Sequence, residues 1–137
     1  MCIRDSGAEG KPDGKYLLKH TIEIDSANFE SIVLGMEEAV NGGAGATARS
    51  AAIRNIIVCG KTGTAENPHG KDHSVFIAFA PKDDPKIAIA VYVENAGFGA
   101  SYAAPIASLM IEKYLTGEVT NKYSEQRMLE LNLIAGE

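Results

Sequence analysis

The chain has 137 residues and a formal net charge of −5, which is room for one domain built on one core. Apolar residues make up 45% and charged residues 23%, a globular balance that excludes a disordered chain. The acidic excess excludes a nucleic-acid binder, which needs a basic footprint. No apolar run reaches the roughly eighteen residues that span a bilayer, and two cysteines, Cys2 and Cys59, are too few for a disulfide framework and too far apart for a zinc knuckle.

Met1-Cys2-Ile3-Arg4-Asp5-Ser6 has no apolar core of a signal peptide and resembles a read-through scar at the end of an assembled sequence fragment. Residues 1–14 are therefore set aside as a non-native or irregular lead, with Gly7 to Lys15 an exposed loop. His20 to Ile24 alternates like a short extended segment. Asp25 and Ser26 offer N-cap oxygens to a helix over 26–41, whose apolar stripe is Phe29, Ile32, Val33, Met36 and Val40. Asn41-Gly42-Gly43 supplies a left-handed stop, and 45–54 reads as a loop.

Three strands follow, predicted over 56–66, 74–80 and 86–94, separated by turn clusters at Asn67–Asp72 and Pro81–Pro85. The second and third are nearly continuous in apolar residues, so cover is expected on both of their faces. Asn95 to Ala100 forms a turn. Ser101 is the expected cap of a helix over 102–115, with Pro105 in its first turn and Gly117 as its stop. Tyr123 to Leu133 reads as a last short helix. The fold class is α/β, an antiparallel sheet flanked by helices.

The chemistry concentrates in Cys59-Gly60-Lys61-Thr62-Gly63-Thr64. A phosphate-binding P-loop would need its first glycine at position 55, which is Asn55. The intervening Ile56-Ile57-Val58-Cys59 favours a strand, which cannot wrap its N–H groups around an anion. On a strand, Thr62 and Thr64 share one face and Lys61 and Gly63 the other. Two hydroxyls on one face can hold a carboxylate. The lysine can lend charge from the other face, and Gly63 leaves room for a neighbouring helix. The plain alternative is a surface lysine on an edge strand.

From Phe29 to Leu115 the sequence resembles the C-terminal part of a class B penicillin-binding protein transpeptidase domain, with most similarity to its elongation-class members. The markers are Gly35-Met36, the run from Val58 to Asn67, the strand pair from Ser74 to Asn95, and Ala103 to Leu115. The resemblance implies a partial penicillin-binding, β-lactamase-like transpeptidase fold over 15–117, with 118–137 as a C-terminal tail. It implies that Lys61 polarises the site and aids proton movement. It also implies that Thr62, Gly63 and Thr64 form the substrate-binding strand, and that the backbone N–H of Thr64 is half of an oxyanion hole. The implied activity of the intact protein is serine-type D,D-transpeptidation of peptidoglycan, without metal or other cofactor. The implied ligands are peptide stems and β-lactams, the implied partners cell-wall elongation proteins, and the implied location the periplasmic face of the inner membrane. A carboxypeptidase or β-lactamase of the same fold, or a non-catalytic stem-peptide or protein-binding module, is the alternative. None of the eight serines has lysine three residues on, so the Ser-x-x-Lys nucleophile is absent from these 137 residues and the chain alone is expected to be inactive.

Weaker signals resolve locally. Ser26-Ala27-Asn28 matches the family's Ser-x-Asn but reads as helix capping. Gly43-Ala44-Gly45-Ala46-Thr47-Ala48 has dinucleotide-loop spacing but follows a helix rather than a strand. His69 and His73 have no third metal ligand in register and read as loop histidines near a groove. Cys59 reads as a small buried strand residue on the face of Lys61. Phe98 has two readings, core plug or groove-edge aromatic, of which core plug is favoured.

Overall fold

The computed structural model describes residues 23–131, so the expectations for 1–22, and for the end of the last helix beyond 131, lie outside the described residues. Helix α1 runs Ser26–Asn41. Its cap is Asp25, whose Oδ1 accepts from the Ala27 N–H at 3.0 Å. Of the expected stripe, only the C-terminal half packs: Val40 is fully buried, whereas Ile32 is 60% exposed. The stop falls within the expected Asn41-Gly42-Gly43 segment. Gly42 has φ −71, and the left-handed residue is Gly43, φ +73, which opens a short 3-10 turn over Gly43–Gly45. A second such turn, Arg49–Ala51, replaces the featureless loop.

The sheet is β1 (Cys59–Ala65), β2 (His73–Ala80) and β3 (Ile87–Val93), antiparallel in that order. The β-branched run 56–58 stays out of β1. Asn55 has φ +63 and reverses the chain into an isolated Ile53–Ile56 bridge, so pairing with β2 begins only at Cys59. Register places Ser74, Phe76, Ala78 and Ala80 opposite Val93, Val91, Ile89 and Ile87. Directly opposed residues share a face, and this face meets α2 (Ala103–Thr116), whose Ala103, Ala104, Ala107 and Ile111 close the core.

The other face carries Val75, Ile77 and Phe79 beside Tyr92, Ala90 and Ala88. Helix α1 packs along β1, and its Met36 reaches a shallow depression with Ile77, Phe79, Ala88 and Ala90. Farther out the face is open, with Ile77 49% and Tyr92 54% exposed. Two-sided cover of β2 and β3 is therefore not met among the described residues, which supply a full second layer on the α2 side only.

Ser101 is not the cap of α2. The Ala103 N–H donates to Ser74 Oγ at 3.1 Å, and the same hydroxyl donates to the Phe98 carbonyl at 3.0 Å. A buried strand serine thus holds the start of α2 and the loop before it. The helix ends as expected at Gly117, φ +83. Helix α3 (Lys122–Leu129) begins at Asn121, whose Oδ1 accepts from the Ser124 N–H at 3.0 Å.

Candidate active site

Within β1, Lys61 pairs with Ile77, Thr62 with Phe76, Gly63 with Val75 and Thr64 with Ser74. Thr62 and Thr64 therefore lie on the α2 side, and Lys61 and Gly63 on the opposite side. Strand β1 is an edge of the described sheet, so one flank of this segment faces away from β2. Thr64 and Lys61 are exposed, and Thr62 and Gly63 are half-buried. The Lys61 ammonium turns back to its own strand and donates to the Thr62 carbonyl at 2.8 Å.

The loop between β3 and α2 lies directly on this strand. A Cβ at Gly99 would meet the Val75 carbonyl oxygen, and would sit 2.7 Å from the Gly63 carbonyl oxygen and 3.2 Å from Thr62 Cβ. Only glycine permits that approach. The neighbouring Phe98 is 73% exposed, so the core-plug reading fails, and its carbonyl is held by the hydroxyl of Ser74, the strand partner of Thr64. Gly63 itself is not strained; a Cβ there would meet Val75 Cβ at 3.3 Å.

His69 lies in the turn as expected, but His73 opens β2. Its Nδ1 accepts the Asn95 N–H at 3.0 Å, and its ring lies 5.2 Å from that of Tyr92. Among the described residues no group of His, Cys, Asp and Glu is arranged to hold a metal. No described helix is long and apolar enough to cross a membrane. Sequence reasoning missed Ser74 and Gly99. The one signal for Ser74 was a polar residue inside an apolar strand, two positions before the buried Phe76.

At the other end of β1, the Asn41 side-chain amide donates to the Val58 carbonyl at 2.9 Å, tying α1 to the strand entry. Cys59 is fully buried there, as expected. Burial pushes its thiol above the ordinary value, and the nearby Glu37 carboxylate adds to this while Lys82 opposes it. Glu37 in turn bonds the Lys82 ammonium at 2.5 Å, which raises that lysine's pKa. Thiolate is the reactive form. In a Cys2→Ser variant, Cys59 should therefore resist a disulfide reagent at pH 8 in the native chain and react quickly in denaturant. Rapid native labelling would contradict this burial.

Residues 14–112 match the family described as the penicillin binding protein transpeptidase domain, and the chain belongs to that family. Among curated relatives, it is 38% identical over 104 residues to peptidoglycan D,D-transpeptidase MrdA of Haemophilus influenzae, covering 65% of this chain and 16% of that protein. It is 39% identical over 104 residues to peptidoglycan D,D-transpeptidase PbpA of Mycobacterium tuberculosis, covering 68% of this chain and 19% of that protein. The chain thus spans under a fifth of the length of these relatives. Among solved structures, Pseudomonas aeruginosa PBP2, in complex with WCK 5153, superposes with TM-score 0.64 at 32% identity, covering 84% of this chain and 26% of that one. Penicillin-binding protein A of M. tuberculosis, solved as an imipenem acyl-enzyme, gives TM-score 0.52 at 37% identity, covering 65% of this chain and 19% of that one.

Proposed function

We propose that this chain supplies the Lys-Thr-Gly side of the active site of a peptidoglycan D,D-transpeptidase. The observation that carries the reading is the β1–β2 register. In a chain of this family, it sets Thr62 and Thr64 on one face of an edge strand, where the Gly99 backbone lies against Thr62, with Lys61 on the opposite face. In the reaction, a serine supplied by a Ser-x-x-Lys segment outside these residues attacks the penultimate D-Ala carbonyl of a stem peptide. The Thr64 N–H stabilises the developing oxyanion. The amide bond breaks, D-Ala leaves with the proton delivered to its amine, and a neighbouring stem amine takes the acyl group from serine. Thr62 and Thr64 hold the terminal carboxylate, and Lys61 polarises the site and eases proton movement. β-Lactams enter by the same route, as the imipenem acyl-enzyme of the mycobacterial relative illustrates for that protein. The setting is the periplasmic face of the inner membrane, among cell-wall elongation proteins.

The test is labelling with fluorescent penicillin. The 137-residue chain should give no covalent band on a denaturing gel, because acylation needs an activated nucleophile. The same polypeptide extended upstream through a Ser-x-x-Lys helix should give one, and Lys61→Ala should weaken it. Stable labelling of the chain alone, or reversible binding without acylation in the extended form, would overturn the reading; the latter would select a non-catalytic stem-peptide module.

A further inference from the structure

The β1–β2 turn and the β3–α2 loop are knotted together at the end of the sheet that carries Thr64. The Asn67 side-chain amide donates to Asn95 Oδ1 at 2.7 Å. The Asn95 N–H donates to His73 Nδ1 at 3.0 Å, and the Gly97 N–H donates to the Asp72 carbonyl at 2.6 Å. Asp72 Oδ1 in turn accepts the Asn67 N–H at 3.2 Å. Asn95 has φ +55, a left-handed conformation that asparagine tolerates better than most residues. Gly70 leaves space for the central bond: a Cβ there would lie 3.2 Å from Asn67 Nδ2 and 3.4 Å from Asn95 Oδ1.

This knot sits between two halves of the candidate site. On one side, Asn67 follows the Thr64–Ala65 end of the Lys-Thr-Gly strand by two residues. On the other, Asn95 begins the loop whose Gly99 lies on Thr62 and Gly63 and whose exposed Phe98 is held through its carbonyl by Ser74, the strand partner of Thr64. Every other polar tie of this knot includes a backbone group, whereas the Asn67–Asn95 bond joins two side chains. It can therefore be removed while leaving the backbone path intact.

We propose that Asn67 and Asn95 are positioning residues. Their bond makes the Phe98 loop and the far end of the Lys-Thr-Gly strand one rigid unit, and so sets the distance between Phe98 and the carboxylate-binding threonines. The assignment of those threonines rests on the reading above; the rigid unit does not.

Asn95→Gly separates this role from simple stability. Glycine keeps the left-handed backbone and the N–H to His73 while deleting Oδ1. Asn95→Asp keeps an acceptor and serves as the rescue. In the full 137-residue chain, Asn95→Gly should melt close to the parent. Native-state amide exchange at Gly97 should rise roughly three- to tenfold, the loss expected for one such hydrogen bond. Asn67→Ala should produce at least that rise, since it also removes the bonds from the His69 N–H and to the Lys71 carbonyl; adding Asn95→Gly to it should give no further rise, and Asn95→Asp alone almost none. Additive effects of the two variants, or unchanged exchange in Asn95→Gly, would overturn the proposal. A second readout uses N-acetyl-D-Ala-D-Ala, followed by amide shifts at Thr62 and Thr64. Weaker binding in Asn95→Gly with recovery in Asn95→Asp supports positioning, and equal binding in all variants overturns it. Failure of the dipeptide to shift these amides in the parent, with exchange coupling present, would overturn the threonine assignment while confirming the rigid unit.

Discussion

Thr62→Val should lower second-order acylation of the upstream-extended polypeptide by about one to two decades, and only for substrates that carry the terminal carboxylate. Thr62 is half-buried beneath the Gly99 backbone, and valine keeps its shape, so the change deletes one hydroxyl rather than the packing. A hydrogen bond to a charged group is worth about 1.5–3 kcal/mol, which the transition-state relation converts to that loss. With an amidated substrate the partner is already gone and the loss should shrink. Lys61→Ala behaves differently. Lys61 lies on the opposite face; in the proposed role it lends charge to the site itself, so acylation should fall for both substrates alike. The two variants and two substrates form a double-mutant cycle. Equal loss with and without the carboxylate would remove Thr62 from its role.

Gly60→Ala should destabilise the chain by roughly 1–3 kcal/mol, the usual cost of forcing extra volume into a packed core. Phe76 is fully buried and pairs with Thr62, which leaves its ring across the neighbouring Gly60. A Cβ at Gly60 would meet Phe76 Cζ, and would lie 2.9 Å from Cε2 and 3.0 Å from the Ile77 carbonyl oxygen. Phe76→Ala should cost more, about 3–5 kcal/mol, a large part of the roughly 5–15 kcal/mol total of a typical domain. Phe76→Leu should partly rescue Gly60→Ala, since it withdraws the clashing ring edge. Chemical denaturation of the four chains measures the coupling, and strict additivity would show that the ring does not occupy the glycine's space. The glycine before Lys61 is thus required by the core.

What the sequence revealed was local. Asp25 and the apolar spacing defined α1, and Gly117 gave the end of α2, because caps and stripes act over a few residues. Alternation along Lys61-Thr62-Gly63-Thr64 is enough to assign the two faces, and the strand register agrees. The features that escaped depend on distant partners. Ser101 had the right chemistry and position to cap α2, yet the oxygen that accepts the Ala103 N–H comes from Ser74, 29 residues before Ala103. Phe98 between glycines could pack inward or stand free, and its exposure follows from how Gly99 seats on β1. The run Ile56-Ile57-Val58 has strand propensity, but the left-handed Asn55 delays pairing. The open face of β2 and β3 shows the same limit: apolar continuity announces that a layer belongs there without saying which residues provide it.

Glu112 constrains where the polypeptide can be cut. It is a carboxylate on α2 with only 6% of its surface exposed. Both its oxygens are satisfied from beyond the helix end: Oε2 accepts the Thr120 N–H at 3.2 Å and Oε1 accepts the Thr120 hydroxyl. Gly117 reads as the natural terminus of α2, so truncation there looks harmless. It would instead remove both hydrogen bonds that Thr120 makes to this carboxylate, and a hydrogen bond to a charged group is worth about 1.5–3 kcal/mol. The residues just past Gly117 thus serve as counterpart to a helix side chain, and a minimal version of this domain has to retain Thr120.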